Sequence, residues 1–194
     1  ATLPPLQNTG LAYNATSNKY VVSTLGHLSF IAQNTSFWSK NFIQTANIDA
    51  TVTKYWDDAD DAGGVTGDKY NDDNDATSTG SNEGFLPILT FTGEYDGAGY
   101  SISGLTINRP TTNLVGLFGF AYSANIRNLG VTNDNTTGNV MVGSLVGLSY
   151  TTIIDNCSAS GSVVASTSHT GGLVGYSYYA TIRNSYSTAS VDVG

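Results

Sequence analysis

The chain has 194 residues and a net charge of −8, and only 11% of its residues are charged. Seven Lys and Arg against fifteen Asp and Glu cannot build a phosphate-binding face, which argues against a nucleic-acid partner. No apolar run approaches the roughly 20 residues of a membrane-spanning helix, so we expect no membrane insertion. The length is sufficient for one domain with a substantial core.

The N-terminal part of the sequence divides into an arm and a helix. Residues 1–22 are rich in Pro, Asn, Thr and Ser and predict an extended arm. Ser23 or Thr24 could cap a helix, because apolar residues with a spacing near 3.6 follow them. We therefore predict a lid helix at about 24–34, which covers one end of a β domain spanning residues 23–194.

An acidic loop is predicted at residues 56–84, where eight of the thirteen aspartates are concentrated. Calcium prefers six to eight oxygen ligands, which Asp, Asn, Glu and loop carbonyls supply. The candidate calcium ligands are Asp72, Asp73, Asp75 and Glu83. The match to a calcium loop is loose, and a solvated acidic insertion without a metal is the alternative.

The strongest signal is a repeat in the region of regular coils, at about 85–194. Gly119, Gly147 and Gly175 are separated by 28 residues each time, and the surrounding sequences align as LFGFAYSANIRNL, LVGLSYTTIIDNC and LVGYSYYATIRNS. A repeat of this length buries its apolar residues only by stacking on its neighbours, so the pattern predicts a solenoid.

The composition of the repeat favours strands over helices, because it is rich in Gly, Ser, Thr and Val. Three short strands per 28 residues predict an all-β fold, a parallel β-helix. A β-sandwich is the alternative, but it would not require a constant repeat length. Upstream, Ile102 aligns with Ile126 at a spacing of 24, which predicts a shorter coil before the three regular ones.

Stacking turns the aligned positions into columns of like side chains. The apolar columns are Leu117, Leu145 and Leu173, and Ile126, Ile154 and Ile182. The polar columns are Asn128, Asn156 and Asn184, and Arg127, Asp155 and Arg183. We expect the amides to hydrogen-bond from coil to coil at a corner and the charges to alternate as an ion-pair ladder.

Tyr122, Tyr150 and Tyr178 form a predicted aromatic column. Such a column could bind sugar rings, although simple stacking between coils is the structural alternative. A weaker option is ice binding through a column of Thr and Ser. No motif for a nucleophile, a zinc site or a phosphate loop occurs, and the lone Cys157 is expected to be a buried thiol, so we predict that the protein is not an enzyme.

Residues 23–194 resemble the GLUG-motif repeats of bacterial secreted and cell-surface proteins, including large adhesins. The resemblance is carried by VGLFG, LVG and GGLVG, each followed by Ile-x-Asn and a small-residue strand, and by the upstream segment FTGEYDGAGYSISGLTINR. It implies a right-handed β-helix on an exported protein, at the cell surface or secreted, and it implies no enzyme activity.

The predicted function is a structural or adhesive β-helix outside the cell. The last repeat stops near the completion of a coil without a lid. We therefore expect either self-association head to tail, which gives a filament, or continuation in a longer chain. A β-helix that binds carbohydrate is the alternative function, and one that cleaves it is a further but weaker possibility. Apart from calcium no cofactor is expected.

Overall fold

The fold is a stack of β-coils in a computed structural model that describes residues 10–56 and 82–194. The β-strands are β1 (Tyr13–Asn14), β2 (Lys19–Val22), β3 (Asn41–Gln44), β4 (Ile48–Asp49), β5 (Glu94–Asp96), β6 (Ser101–Ser103), β7 (Thr106–Asn108), β8 (Phe118–Tyr122), β9 (Asn125–Arg127), β10 (Gly130–Gly143), β11 (Val146–Tyr150), β12 (Ile153–Asp155), β13 (Ser158–Gly171), β14 (Val174–Tyr178), β15 (Thr181–Arg183), β16 (Tyr186–Ser187) and β17 (Ser190–Val193). The helix α1 spans Leu25–Gln33, and short 3₁₀ helices span Thr35–Phe37 and Thr51–Tyr55.

The strands form three sheets that run along the solenoid. Sheet A has the order β1-β2-β3-β5-β9-β12-β15, and sheet C has the order β8-β11-β14. Sheet B has the order β16-β13-β10-β6-β4, with β7 beside β10 and β17 beside β13. The named strands of successive coils pair in parallel, and Gly84 and Ile107 form an isolated antiparallel bridge. The structure confirms the predicted parallel β-helix.

The N-terminal stretch begins with a hairpin. Strands β1 and β2 pair antiparallel, with Tyr13 opposite Tyr20, and Asn18 takes a positive φ of 57° in the turn. Strand β2 then pairs parallel with β3. Part of the segment predicted as an arm is therefore the first strand pair of sheet A.

Helix α1 is the predicted capping helix. Thr24 is its N-cap, and its hydroxyl accepts a hydrogen bond of 3.2 Å from the His27 backbone N–H. Leu28 and Ile31 are fully buried in the core cluster. The helix lies in the first coil, between β2 and β3, where later coils have strands of sheets B and C. It therefore closes this end of the core, as predicted.

The register confirms the 28-residue repeat in the regular coils. Ile126, Ile154 and Ile182 are direct partners in adjacent strands of sheet A. The predicted spacing of 24 for the preceding coil is wrong, because Ile102 pairs with Val131 and not with Ile126. Tyr95 is the partner of Ile126 instead.

The reason for this error is a wider turn between β5 and β6. Four residues, Gly97 to Tyr100, separate the two strands, and Ala98 and Gly99 take positive φ values of 52° and 85°. In the next coil only two residues separate β9 from β10. The turn therefore lengthens the coil, and the sequence alignment that assumed a shorter coil paired the wrong strands.

The core changes in character along the stack. Toward the N-terminal end of the stack, the fully buried side chains include Phe42, Phe91, Tyr95 and Phe118. The ring centroids of Phe91 and Phe118 lie 4.8 Å apart. From Ile126 to Leu173 the buried hydrophobic side chains are aliphatic, apart from Cys157. The predicted column of Leu117, Leu145 and Leu173 is inward, with exposed fractions of 0%, 0% and 8%.

The repeated glycines occupy positions where sheet C approaches other backbone closely. A Cβ on Gly147 would lie 2.7 Å from the carbonyl carbon of Leu114 and the nitrogen of Val115, one coil below. A Cβ on Gly175 would lie 2.4 Å from the nitrogen of Val142. Backbone atoms cannot move aside as a flexible side chain can, so the repeat requires glycine here.

Candidate functional site

The corner between sheets A and B carries the predicted asparagine column. Asn128, Asn156 and Asn184 all take left-handed backbone conformations, with φ values of 53°, 53° and 52°. Asn tolerates this region better than other residues with a Cβ, which explains its repetition at this corner. Asn156 Nδ2 donates to Asn128 Oδ1 at 2.9 Å, and Asn128 Nδ2 donates to Asp96 Oδ1 at 2.9 Å.

The amide ladder changes partner in the last coil. Asn184 Nδ2 donates to Asp155 Oδ1 at 2.9 Å instead of to Asn156. This hydrogen bond and the bond from Arg183 hold the pKa of Asp155 below its usual value. Among the described residues, no hydrogen bond reaches Asn156 Oδ1, and this exposed oxygen is free to accept one from a ligand.

The predicted charge column is present beside the amides. Arg127, Asp155 and Arg183 are register partners, and Arg183 Nη2 lies 3.0 Å from Asp155 Oδ2. Arg127 instead contacts the coil below, where its Nη2 lies 2.6 Å from Glu94 Oε1 and 3.1 Å from Asp96 Oδ2. The ladder is thus built from pairs rather than from one alternating row.

Lys19 extends this charge cluster to the N-terminal hairpin. Its Nζ lies 2.7 Å from Glu94 Oε1 and 3.4 Å from Asp96 Oδ2. Desolvation by burial works to raise the pKa of Asp96, but hydrogen bonds from Asn128 and Ala98 and the charges of Arg127 and Lys19 outweigh it and lower that pKa. Asp96 is therefore a carboxylate at neutral pH.

A groove with a volume of about 280 Å³ runs along the same corner and crosses four coils. Its lining includes the three asparagines of the amide column. Ser101, Gly130 and Ser158 are register partners along it, and this column of small residues leaves the space open. Tyr100 and Tyr186, which are 38% and 65% exposed, belong to the two outermost coils of the groove. In the part of the chain that the structure describes, no charged side chain lines it.

Cys157 lies beneath this groove and is 1% exposed. Its Sγ lies 3.4 Å from the Asp155 carbonyl oxygen and 3.7 Å from that of Ile126. Burial raises the pKa of the thiol to about 11, so it is protonated at neutral pH. Cys157 is the buried thiol that the sequence predicts.

The predicted tyrosine column is an offset stack on the outer face of sheet C. Tyr122 and Tyr150 have ring centroids 5.4 Å apart and an interplanar angle of 16°, and Tyr150 and Tyr178 have the same separation at 30°. Tyr179 packs against Tyr178 at 4.2 Å. Tyr122 and Tyr178 at the two ends of the column are 45% and 42% exposed. Sugar binding by this column stays a prediction.

The predicted calcium ligands Asp72, Asp73 and Asp75 lie outside the described residues. Glu83 is described, and its backbone carbonyl accepts a hydrogen bond of 2.8 Å from the Asn108 N–H. Within residues 10–56 and 82–194, no group of three or more His, Cys, Asp or Glu side chains could hold a metal ion. Calcium binding therefore stays a prediction.

Sequence reasoning missed two features of this region. Tyr100 and Tyr186 belong to no predicted column. The incorrect spacing of 24 hid the coil that contains Tyr100, and Tyr186 aligns with Ser158 and Gly130, which are not aromatic. The second feature is Asp134, which is 3% exposed inside the solenoid. The sequence signal for its inward carboxyl group is its position between Asn133 and Asn135. Side chains alternate between the two faces of a strand, so a residue between two outward asparagines faces inward.

Comparison with known proteins identifies the repeat. Residues 138–164 and 166–192 match the GLUG motif, which confirms the resemblance seen in the sequence. The chain is also 33% identical over 133 residues to Halomucin of Haloquadratum walsbyi, which covers 66% of this chain and 1% of Halomucin. No solved structure matches the chain significantly. In the described residues, no helix is long and apolar enough to cross a membrane.

Proposed function

We propose that this GLUG-repeat chain is an extracellular structural β-helix whose last coil stacks on a further β-coil. The GLUG repeats and the likeness to Halomucin fit a surface β-helix protein. A structural, non-catalytic role accords with a site made of amides, hydroxyls and paired charges.

The observation that carries this proposal is the exposure of the inward columns in the last coil. Ile154 is fully buried beneath Ile182, whereas Ile182 is 43% exposed. Val163 is fully buried, and its partner Val191 is 46% exposed. Inward side chains in a solenoid are covered only by the next coil, so these residues form an apolar end face.

The backbone and the charges of the last coil are complementary to another coil of the same kind. Three strands of the last coil, β14, β15 and β16, end the order of their sheets, and β17 pairs with β13. Their outer edges can accept a further strand. Arg183 pairs with Asp155 on its lower side, and its side chain is 60% exposed. An acidic residue in the covering coil could form an ion pair with Arg183 on its upper side.

Two sources could supply the covering coil, namely more of the same chain or a second copy. At the opposite end, helix α1 covers the core, so a copy approaching head to tail meets the helix and the β1–β2 hairpin there. A head-to-tail filament is the sharpest form of the proposal. Pairing of two end faces is the other form that self-association can take.

Sedimentation and electron microscopy of the purified chain test the proposal. We expect concentration-dependent association that Val191→Lys weakens, with filaments indicating head-to-tail contact and closed dimers indicating paired end faces. Ile153→Lys is the matched control, because Ile153 is 41% exposed on the outer face of sheet A and not on the end face. Exclusively monomeric particles at high concentration, with and without calcium, would rule out self-association and leave more of the same chain as the source of the covering coil.

A further inference from the structure

We propose that the groove at the corner between sheets A and B binds a short neutral oligosaccharide. This proposal assigns a ligand and goes beyond the structural role proposed above. It does not depend on stacking, because the groove runs parallel to the solenoid axis and a further coil would lengthen it rather than close it. Tyr100 and Tyr186 would hold the sugar at its ends, and the asparagine column would bind it between them.

The dimensions of the groove fit an extended ligand. Tyr100 and Tyr186 lie in coils separated by three rung intervals, which corresponds to about 14 Å along the axis at about 4.8 Å per rung. The column of Ser101, Gly130 and Ser158 leaves the intervening surface low. An extended chain of a few sugar units can lie along it, with apolar ring faces against the two tyrosines.

The chemistry of the lining favours a neutral sugar. Amide and hydroxyl groups both donate and accept hydrogen bonds, as sugar hydroxyls do. Asn156 and Asn184 are exposed, and the Asn156 Oδ1 oxygen has capacity for a further hydrogen bond. Among the described residues, no cationic side chain lines the groove to attract an anionic glycan or a phosphate. The nearby carboxylates of Asp96 and Asp155 are already paired with Lys19, Arg127 and Arg183.

An extended peptide fits this groove less well. Peptides that bind to β-sheets use unpaired backbone groups, and here the backbone groups already pair between coils. The Gly130 N–H donates to the Tyr100 carbonyl, the Ser158 N–H to that of Leu129, and the Tyr186 N–H to that of Cys157. The ligand must therefore be recognised by side chains alone, which suits a sugar.

Titration calorimetry and ligand-observed NMR with the full chain test this assignment. The probes are maltotriose, cellotriose and triacetylchitotriose, with trigalacturonic acid and an extended hexapeptide for comparison. We expect at least one neutral trisaccharide to bind with a dissociation constant on the order of millimolar or tighter. Tyr100→Ala and Tyr186→Ala should each weaken that binding by about threefold to tenfold, whereas Tyr186→Phe should retain it.

Two controls separate this site from the other surfaces. Tyr55→Ala removes a tyrosine that is 43% exposed and does not line the groove, so it should leave the affinity unchanged. Val191→Lys should weaken self-association and leave sugar binding intact, so the two proposals can fail separately. Thermal melting establishes that each variant is folded. The assignment is overturned if no neutral trisaccharide binds, if the charged sugar or the peptide binds better, or if Tyr55→Ala is as harmful as Tyr186→Ala.

Discussion

Asn156 donates a hydrogen bond of 2.9 Å from its Nδ2 atom to Oδ1 of Asn128, the residue directly below it in the preceding coil. Both residues also hold a positive φ of 53°. One side-chain type therefore meets two requirements at this corner, a left-handed backbone and a contact between coils.

Replacing Asn156 separates these two requirements. Asn156→Gly keeps the left-handed conformation and loses the hydrogen bond, so we expect the free energy of unfolding to fall by about 1 kcal/mol. Asn156→Ala also strains the backbone and should cost about 2 kcal/mol or more. Urea denaturation of both variants measures the difference, and equal losses would contradict a role for the backbone conformation.

The glycines of the repeat are predicted to be intolerant of a methyl group. Gly147→Ala places a Cβ against the backbone of Leu114 and Val115, so we expect it to lower the free energy of unfolding by about 1 to 3 kcal/mol. Gly26 lies in α1 with room for a methyl group, since Thr24 Oγ1 at 3.7 Å is the nearest atom. Gly26→Ala should therefore stabilise the protein by about 0.5 to 1 kcal/mol. Thermal and urea unfolding compare the two, and a neutral Gly147→Ala would refute the close approach.

The contribution of each isoleucine in the sheet A column to stability should depend on whether a further coil covers it. Ile154→Ala creates a cavity in a fully buried layer, and we expect it to lower the free energy of unfolding by about 2 to 5 kcal/mol. Ile182→Ala in the partly exposed layer should cost less than about 1 kcal/mol in the monomer. If self-association buries Ile182, the cost of its truncation should rise with protein concentration in the same denaturation experiment.

Asp134 is predicted to make stability depend on pH. Burial raises its pKa from 3.8 to about 6, although Thr136 Oγ1 donates a hydrogen bond of 3.0 Å to Oδ2. The folded state thus binds the proton more tightly than the unfolded state, and this contribution to stability is lost as pH rises from about 4 to about 6. At pH 7 the loss is roughly 3 kcal/mol.

Asp134→Asn should remove this loss, so that the variant exceeds the parent protein in stability at pH 7 and approaches it below pH 4. Asp49→Asn is the control of opposite sign. Hydrogen bonds from the Thr51 hydroxyl and N–H lower the pKa of Asp49, so its removal should reduce stability above pH 4 and not below it. Denaturation curves across pH 3 to 8 show both, and an unchanged pH dependence in Asp134→Asn would exclude the buried carboxyl group as the cause.

The sequence by itself determined the repeat, the inward and outward columns of the regular coils, and the capping helix. Periodicity sufficed there because like residues recur at a constant spacing, for example Ile126, Ile154 and Ile182, or Asn128 and Asn156. In a parallel stack, residues at that spacing come into direct contact. Thr24 and the apolar positions after it are likewise a local signal.

Only the tertiary structure decided the rest. The wider turn at Ala98 and Gly99 shifted the register of the preceding coil, which placed Tyr100 at the groove. The inward position of Asp134 and the pairing of Arg127 with Glu94 rather than with Asp155 also follow from how coils of unequal length meet. A periodic pattern specifies what stacks on itself, whereas contacts between non-equivalent positions depend on turn lengths that the repeat does not encode.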